Sequence, residues 1–158
     1  MEEIRKKIFN EESKTEAVFT SVADNPYSLS YTCLLIPRFQ SHYLTGDLTQ
    51  YLYVWMQQIG VSFGWQLENI DIQPEYMQWT IYVPVTTPPA LFMRLIRRHT
   101  SEKIFEDFPR FSKENLSKDF WAPGYLVLVG KQLHPLKIIM EFIKLTRQKQ
   151  AGGSFSHE

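Results

Sequence analysis

Cysteine is almost absent from the chain, which has one, Cys33, among its 158 residues. A single cysteine excludes an internal disulfide and a zinc site built from several thiolates. Because Cys33 lies in an apolar run, we expect it to be a small core residue. The sequence also lacks a glycine-rich phosphate-binding loop and a serine–histidine–aspartate signature. Neither a nucleotide hydrolase nor a serine hydrolase is therefore indicated.

Neither sign of charge is in excess, since 17 Lys and Arg residues balance 17 Asp and Glu residues. Dedicated nucleic-acid binders are usually basic because they neutralise phosphates, so this balance leaves room only for a local basic face. The apolar runs are far shorter than the roughly 20 residues that span a bilayer. The charged start, residues 1–7, does not resemble a signal peptide. We therefore expect a cytoplasmic protein without a membrane partner.

Histidine is scarce as well. No two histidines are closely spaced and none falls on a predicted strand, so a metal centre would have to be assembled from distant loops. We interpret the four histidines as scattered surface residues: His42, His99, His134 and His157.

Apolar side chains are plentiful: 44% of residues are hydrophobic and 15% are aromatic, which is enough for the core of one domain. Period-two alternation over residues 27–37 predicts a first strand. The helical spacing of apolar residues from Leu48 to Ile59 predicts a helix, with Asp47 as its N-cap. Residues 65–73 and 76–85 are predicted to form two more strands joined by a turn.

Prolines mark the second half of the chain. Pro88 and Pro89 open a second predicted helix, and Pro135 opens the last one. Between them, residues 108–119 are predicted as a loop and residues 125–129 as a fourth strand. The order βαββαβ plus a helix predicts an α+β fold, a ferredoxin-like antiparallel sheet with helices on one face and a C-terminal helix. Right-handed crossovers place the first and third strands side by side.

The two ends of the chain lack this pattern. Residues 1–24 mix charges without clear periodicity, which predicts a partly disordered N-terminal arm. Residues 151–158 are rich in glycine and serine, which predicts a disordered tail. The folded domain is therefore expected over residues 25–150.

Basic residues gather on the second predicted helix, where Arg94, Arg97 and Arg98 share one face by their i,i+3 and i,i+4 spacing. Together with Arg38 after the first strand and Lys144 on the last helix, they are candidate phosphate contacts. The alternative is that these charges only keep the outer helix faces polar. The aromatic residues could stack on bases, with core packing or a dimer seam as the alternative use.

Several stretches, in matching order, resemble single-tyrosine transposases of the insertion-sequence-200 type. Residues 32–46 are similar to the first strand and following loop of that family. Residues 64–68 and 73–75 resemble its second strand and the turn into the third. Residues 120–130, Phe-Trp-Ala-Pro-Gly-Tyr-Leu-Val-Leu-Val-Gly, look like the family stretch Phe-Trp-x-x-Gly-Tyr-x-Val-x-x-x-Gly. The resemblance covers residues 27–148.

This resemblance implies a catalytic site that the chain has altered. In the family, the third strand carries His-x-His, whose two imidazoles face one side of the sheet and hold Mg²⁺ or Mn²⁺. A tyrosine on the last helix attacks the scissile phosphate and becomes linked to DNA. The histidine positions fall here on Tyr76 and Gln78, or on Gln78 and Thr80 if the register slips, and the tyrosine position on Phe142. We therefore expect no metal and no cofactor.

We interpret the chain as a catalytically inactive relative of these transposases. The resemblance implies a homodimer that binds a DNA hairpin or a single strand, so we expect a retained DNA-binding or regulatory role. One alternative is a protein-interaction scaffold without nucleic-acid binding, which the zero net charge favours. Another is an active single-strand DNA transposase or nuclease with a non-standard site, such as Tyr76 with Glu75.

Overall fold

The computed structural model describes residues 28–152, so the predicted arm at 1–24 lies outside the described residues. The described chain forms, in order, strand β1 (Ser28–Leu35), helix α1 (Asp47–Phe63), strands β2 (Gln66–Gln73) and β3 (Tyr76–Pro84), helices α2 (Pro89–Asp107) and α3 (Pro109–Glu114), strand β4 (Leu126–Val129) and helix α4 (Leu136–Gly152). The predicted α+β fold is confirmed.

Three local predictions are corrected. Residues 108–119 are not wholly a loop, because Pro109 opens the short helix α3. Helix α1 has Asp47 as its first residue, and the N-cap is Gly46, which has a φ of 64°. The last helix continues through Gly152, so the first two residues of the predicted tail are helical. The rest of that tail lies outside the described residues.

The sheet is antiparallel with strand order β2-β3-β1-β4, so β1 and β3 are central neighbours as predicted. Their register pairs Cys33 with Trp79 and Leu34 with Gln78. The pairing of β2 with β3 is irregular between Glu68 and Asp71, which indicates a β-bulge. Strand β4 is short and pairs with β1, so it forms one edge of the sheet.

Alternation along β3 gives the sheet two different faces. Met77, Trp79 and Ile81 point into the main core, where they pack with side chains of α1 and α2. Cys33 belongs to the same core and is fully buried, and burial raises the pKa of its thiol well above the usual value. This confirms Cys33 as a core residue.

The opposite face of the sheet is covered by α4. Leu34 and Ile36 from β1 and its extension, and Tyr76 from β3, cluster there with Ile139 of α4. Helices therefore lie on both sides of the sheet, with α1 and α2 on one face and the C-terminal helix on the other.

The segment between α3 and β4 is fixed by two large buried rings. Phe120 and Trp121 are fully buried and cross at 88° with ring centroids 5.0 Å apart. The indole N–H of Trp121 donates to Thr100 Oγ1 of α2 at 2.8 Å. Trp121 also forms an isolated β-bridge with Pro37. Trp121, in one of the stretches that resemble the family, thus joins α2 to the end of β1.

Most aromatic residues are used for packing, as the alternative interpretation of the sequence stated. Trp55, Trp65, Tyr76, Trp79 and Trp121 are all buried. Among the exposed rings are Phe39, Tyr51, Tyr53 and Tyr125. None of the helices within residues 28–152 is sufficiently long and apolar to cross a membrane.

Candidate functional site

The polar face of β3 lies beneath α4. Because alternate residues of a strand share a face, Tyr76, Gln78 and Thr80 point toward this helix and the loop before it. All three are buried, with exposed fractions of 8%, 3% and 0%. The positions at which the family would place its metal ligands are therefore enclosed within the fold.

Hydrogen bonds within the protein occupy Gln78. Its Nε2 donates to Asp71 Oδ2 on β2 at 3.0 Å, and its Oε1 accepts the main-chain N–H of His134 at 3.1 Å. Two residues further along β3, Thr80 Oγ1 donates to the main-chain oxygen of Lys131 at 3.2 Å. The polar groups of β3 thus fasten the strand to the loop that precedes α4.

Tyr76 and Phe142 belong to one apolar cluster under α4, which is completed by Leu34, Ile36, Ala122, Leu126, Ile139 and Ile143. Phe142, at the family's tyrosine position, is partly buried against this cluster and has no hydroxyl group. Burial and the negative charge of Asp71 both raise the pKa of Tyr76. The side chains at these two positions fill the space between strand and helix.

The far end of α4 is anchored to the end of β1. Arg147 donates from Nη2 to the main-chain oxygen of Pro37 at 2.9 Å and from Nη1 to that of Arg38 at 3.1 Å. Gln150 Nε2 donates to the same Arg38 oxygen at 2.8 Å. Three side-chain bonds to two carbonyls therefore hold the C-terminal end of α4 against the end of β1.

Two histidines are buried, so their interpretation as surface residues is wrong. His42 is 1% exposed, lies against the rings of Phe39, Phe111 and Phe120, and its Nε2 is 2.6 Å from Glu114 Oε1. His134 is 5% exposed, and neither of its ring nitrogens forms a hydrogen bond of good geometry with a described residue. Burial lowers the pKa of His134, against a smaller raising effect of the Thr32 backbone.

The three arginines of α2 have different surroundings. Arg97 is bound into the fold: Nε and Nη2 donate to Asp119 Oδ2 at 3.1 and 2.7 Å. The same guanidinium also donates to the main-chain oxygens of Gly124 and Ala122, both at 2.8 Å. Arg94 and Arg98 are exposed, and neither forms an ion pair with another residue in the described part of the chain. Arg97 thus holds α2 against the 119–124 segment, while the other two stay available.

A basic pocket of about 470 Å³ lies between α2 and the segment that follows α3. Arg94, Arg97 and Arg98 line it on the helix side, and Lys118 and Tyr125 line it on the other side. Its one carboxylate belongs to Asp119, which Arg97 already neutralises. The pocket therefore combines uncompensated positive charge with an exposed aromatic ring.

A second depression, of about 590 Å³, adjoins the first. Arg38, Phe39, Ser117 and Arg147 are among the residues that line it, and Ser117 is followed in the chain by the Lys118 of the basic pocket. Arg38 is half-buried, with Nε donating to the main-chain oxygen of Asp119 at 3.1 Å. The other phosphate candidate, Lys144, is exposed on α4 and does not line either depression.

The family model of IS200-like transposases matches residues 25–146. The chain belongs to the IS200-like transposase family. A crystal structure from Deinococcus radiodurans R1, provisionally assigned as a transposase, is 18% identical, with a TM-score of 0.68 over 77% of this chain and 93% of that one. A REP-associated tyrosine transposase bound to a REP hairpin is 11% identical, with a TM-score of 0.47 over 77% and 68%. No curated protein sequence matches the chain.

The IS200-like family implies a divalent metal, and the donor atoms around Gln78 do not fit one. An amide and a phenol stand where two imidazoles are expected, and the amide oxygen already accepts a main-chain N–H. Within residues 28–152, no three His, Cys, Asp or Glu side chains are grouped so that they could hold a metal ion. The alternative pair of Tyr76 and Glu75 gains no support either, because burial and Asp71 raise the pKa of the Tyr76 phenol and so disfavour the phenolate that would have to attack.

Proposed function

We propose that this IS200-like protein does not cleave DNA and acts as a DNA-binding or regulatory protein. The observation that supports the loss of cleavage is the packing at the catalytic positions. Gln78 is committed to Asp71 and His134, and Phe142 lies in the apolar cluster with Tyr76. Metal ion and nucleophile each lower the barrier of a phosphoryl transfer by several kcal/mol, so we expect their combined loss to abolish the reaction.

DNA binding is supported by the two adjoining depressions. Each offers cationic groups together with an exposed ring, Tyr125 in the basic pocket and Phe39 in its neighbour. Cations contact phosphates, and exposed rings stack on unpaired bases. This combination of cations and rings suits a hairpin loop or a single strand better than a regular duplex. Because the net charge of the whole chain is zero, we expect binding to be confined to this local basic surface.

Binding of the full chain to a hairpin and to a single-stranded oligonucleotide is tested by fluorescence anisotropy at several salt concentrations. We expect affinity to fall as salt rises, with a slope of about −0.7 in log units for each single-strand phosphate contacted. The double variant Arg94→Gln, Arg98→Gln lowers both affinity and slope. The matched control is Lys103→Gln, which removes an exposed cation of α2 outside the basic pocket. Absence of binding at low salt refutes this proposal.

Cleavage is tested separately with labelled hairpin DNA and Mg²⁺ or Mn²⁺. We expect intact DNA and no covalent protein–DNA adduct, because the chain has no tyrosine at the family position on α4. An adduct that survives denaturation would show an active enzyme with a non-standard site. Two controls would identify the source of such an adduct. The metal-free reaction tests its dependence on metal, and Tyr76→Phe tests its dependence on the Tyr76 hydroxyl.

A homodimer through β4 is part of the same proposal. Strand β4 is a sheet edge, and its Leu128 and Val129 are 53% and 76% exposed. Leu136 at the start of α4 is 61% exposed. The other edge, β2, consists mostly of polar residues, which discourage strand pairing. A second copy placed against β4 would cover these apolar side chains and pair the edge that no strand within residues 28–152 covers.

Dimerisation without DNA binding would support the alternative function. A chain that dimerises but binds neither oligonucleotide would be a protein-interaction scaffold. The proposed DNA binding needs no metal or other cofactor, and the cytoplasm remains the expected location.

A further inference from the structure

The basic pocket has features that specify its ligand more closely than general DNA binding does. It is concave, it holds about 470 Å³, and its two walls come from α2 and from residues 118–125. A ligand that enters it is therefore approached by cations from two separate segments of the chain.

The walls are fixed before any ligand arrives. Arg97 reaches from α2 to the opposite wall, where it binds the Asp119 carboxylate and the main-chain oxygens of Ala122 and Gly124. Gly124 has a φ of 87°, a conformation that glycine adopts without strain. Because five hydrogen bonds from one guanidinium hold the two walls together, the site loses little conformational freedom when a ligand binds.

Lys118 is held toward the pocket in an unusual conformation. Its φ is 69°, which is uncommon for a residue other than glycine. The turn around it is fixed by Asn115, whose Oδ1 accepts the Ser117 N–H at 2.9 Å and whose Nδ2 donates to the Asp119 oxygen at 2.9 Å. The turn thus places a third cation opposite Arg94 and Arg98.

The balance of charge distinguishes between two kinds of phosphate. Arg97 neutralises Asp119, so Arg94, Arg98 and Lys118 remain as three uncompensated cations. An internal phosphodiester carries one negative charge, whereas a phosphate monoester carries about 1.5 to 2 and presents three acceptor oxygens. Three cations that line one pocket therefore match the charge of a phosphate monoester better than that of a phosphodiester. Tyr125, 37% exposed at the same pocket, offers a face on which the adjoining base can stack.

From these features we infer that the basic pocket binds a terminal phosphate of a nucleic-acid strand, with the terminal base on Tyr125. This inference rests on the proposed nucleic-acid binding and names the part of the ligand that the pocket recognises. A free nucleoside monophosphate presents the same chemistry, so it serves as a second probe.

The test compares one single-stranded oligonucleotide in three forms: 5′-phosphorylated, 3′-phosphorylated and unphosphorylated. For the full chain at low salt, we expect at least one phosphorylated form to bind about tenfold or more tightly than the unphosphorylated one, as for a charge-assisted hydrogen bond. Arg94→Gln and Arg98→Gln abolish this preference, and Lys103→Gln preserves it. Tyr125→Ala weakens every form while the preference for the phosphate persists.

The outcomes separate this inference from the proposed function. Equal affinity for all three forms refutes the terminal-phosphate site while DNA binding stands. A phosphate preference that survives in both arginine variants also refutes it. If deoxyadenosine monophosphate binds by calorimetry and no oligonucleotide does, DNA binding fails and the phosphate monoester site stands. If neither probe binds, both are refuted.

Discussion

The side-chain oxygen of Gln78 accepts the main-chain N–H of His134 at 3.1 Å, across 56 residues of sequence. The bond links the strand on which the IS200-like family carries its metal ligands to the loop that leads into α4. Both partners are buried, so this amide has a structural role in the fold.

Gln78→Leu is expected to destabilise the fold. The variant leaves the His134 N–H buried without an acceptor, which costs about 1 to 3 kcal/mol of unfolding free energy. Urea denaturation followed by circular dichroism measures the change. Gln73→Leu is the matched control, because Gln73 also donates to Asp71 but is exposed on β2. Equal stability of the wild type and Gln78→Leu would contradict the role given to this amide.

Stability is expected to fall as pH drops below about 6.5, the ordinary pKa of histidine. Burial lowers the pKa of His134 in the folded state. In this range the unfolded chain therefore binds a proton at His134 that the folded chain does not bind, and this difference favours unfolding. His134→Gln cannot be protonated, and its unfolding free energy should depend less steeply on pH between about 5 and 7. Above about pH 8 the curves of wild type and variant should run parallel, since the imidazole is then neutral in both states. Identical slopes below pH 7 would exclude His134 as the source.

Arg97 and Arg94 are expected to respond differently to the same substitution. Arg97→Gln removes the partner of Asp119 and breaks bonds to three carbonyls, costing about 1.5 to 3 kcal/mol of unfolding free energy. Arg94→Gln changes an exposed side chain, so stability should stay within about 0.5 kcal/mol while oligonucleotide affinity falls. Thermal unfolding and anisotropy, measured on both variants, distinguish the roles. Loss of stability in Arg94→Gln would show that it too is structural.

Gly60→Ala should destabilise the junction of α1 and β2. A Cβ at this position would lie 2.9 Å from the main-chain oxygen of Trp65 and 3.1 Å from Leu67 Cδ1. Relieving this overlap requires a backbone shift, which costs about 1 to 3 kcal/mol. Gly152→Ala on α4 meets open space, so the same substitution should be neutral or slightly stabilising there. Comparison of the two denaturation midpoints tests the assignment.

Val129→Lys should convert the proposed dimer into a monomer. A lysine on the exposed β4 edge opposes strand pairing because its ammonium group would be brought into an apolar contact. Light scattering after size-exclusion chromatography measures the mass. Val61→Lys, at an equally exposed valine on α1, is the control and should leave the mass unchanged. A wild-type chain that is monomeric at all concentrations would contradict the dimer proposal.

The order of elements was predictable because it depends on local periodicity and on prolines. The alternation of apolar residues in β1 extends over several residue pairs, and their helical spacing in α1 extends over several turns. The right-handed crossover rule then places β1 beside β3, as the structure shows. The helix α3 was missed since six residues, Pro-Arg-Phe-Ser-Lys-Glu, are too few to establish a period.

The candidate site was less predictable because distant parts of the chain create it. Arg94, Arg97 and Arg98 are equivalent by spacing, and only the bonds to the Asp119 carboxylate and the carbonyls of the 119–124 segment single out Arg97. The burial of His42 and His134 depends likewise on α3 and on β3, which no pattern near either histidine indicates. The replacements at the family's catalytic positions are predictions from the sequence, whereas the packing of Tyr76 with Phe142 depends on the tertiary structure.

The bonds from Arg147 and Gln150 to the carbonyls of Pro37 and Arg38 hold the last helix against the sheet of its own chain. Each protomer of the proposed dimer would keep its own α4, and the Tyr76 cluster would be closed by residues of a single chain. Two protomers could then separate and recombine with other copies without unfolding any element or exposing that cluster. Association would therefore be a reversible event governed by concentration, and a separated protomer would remain an intact folded unit.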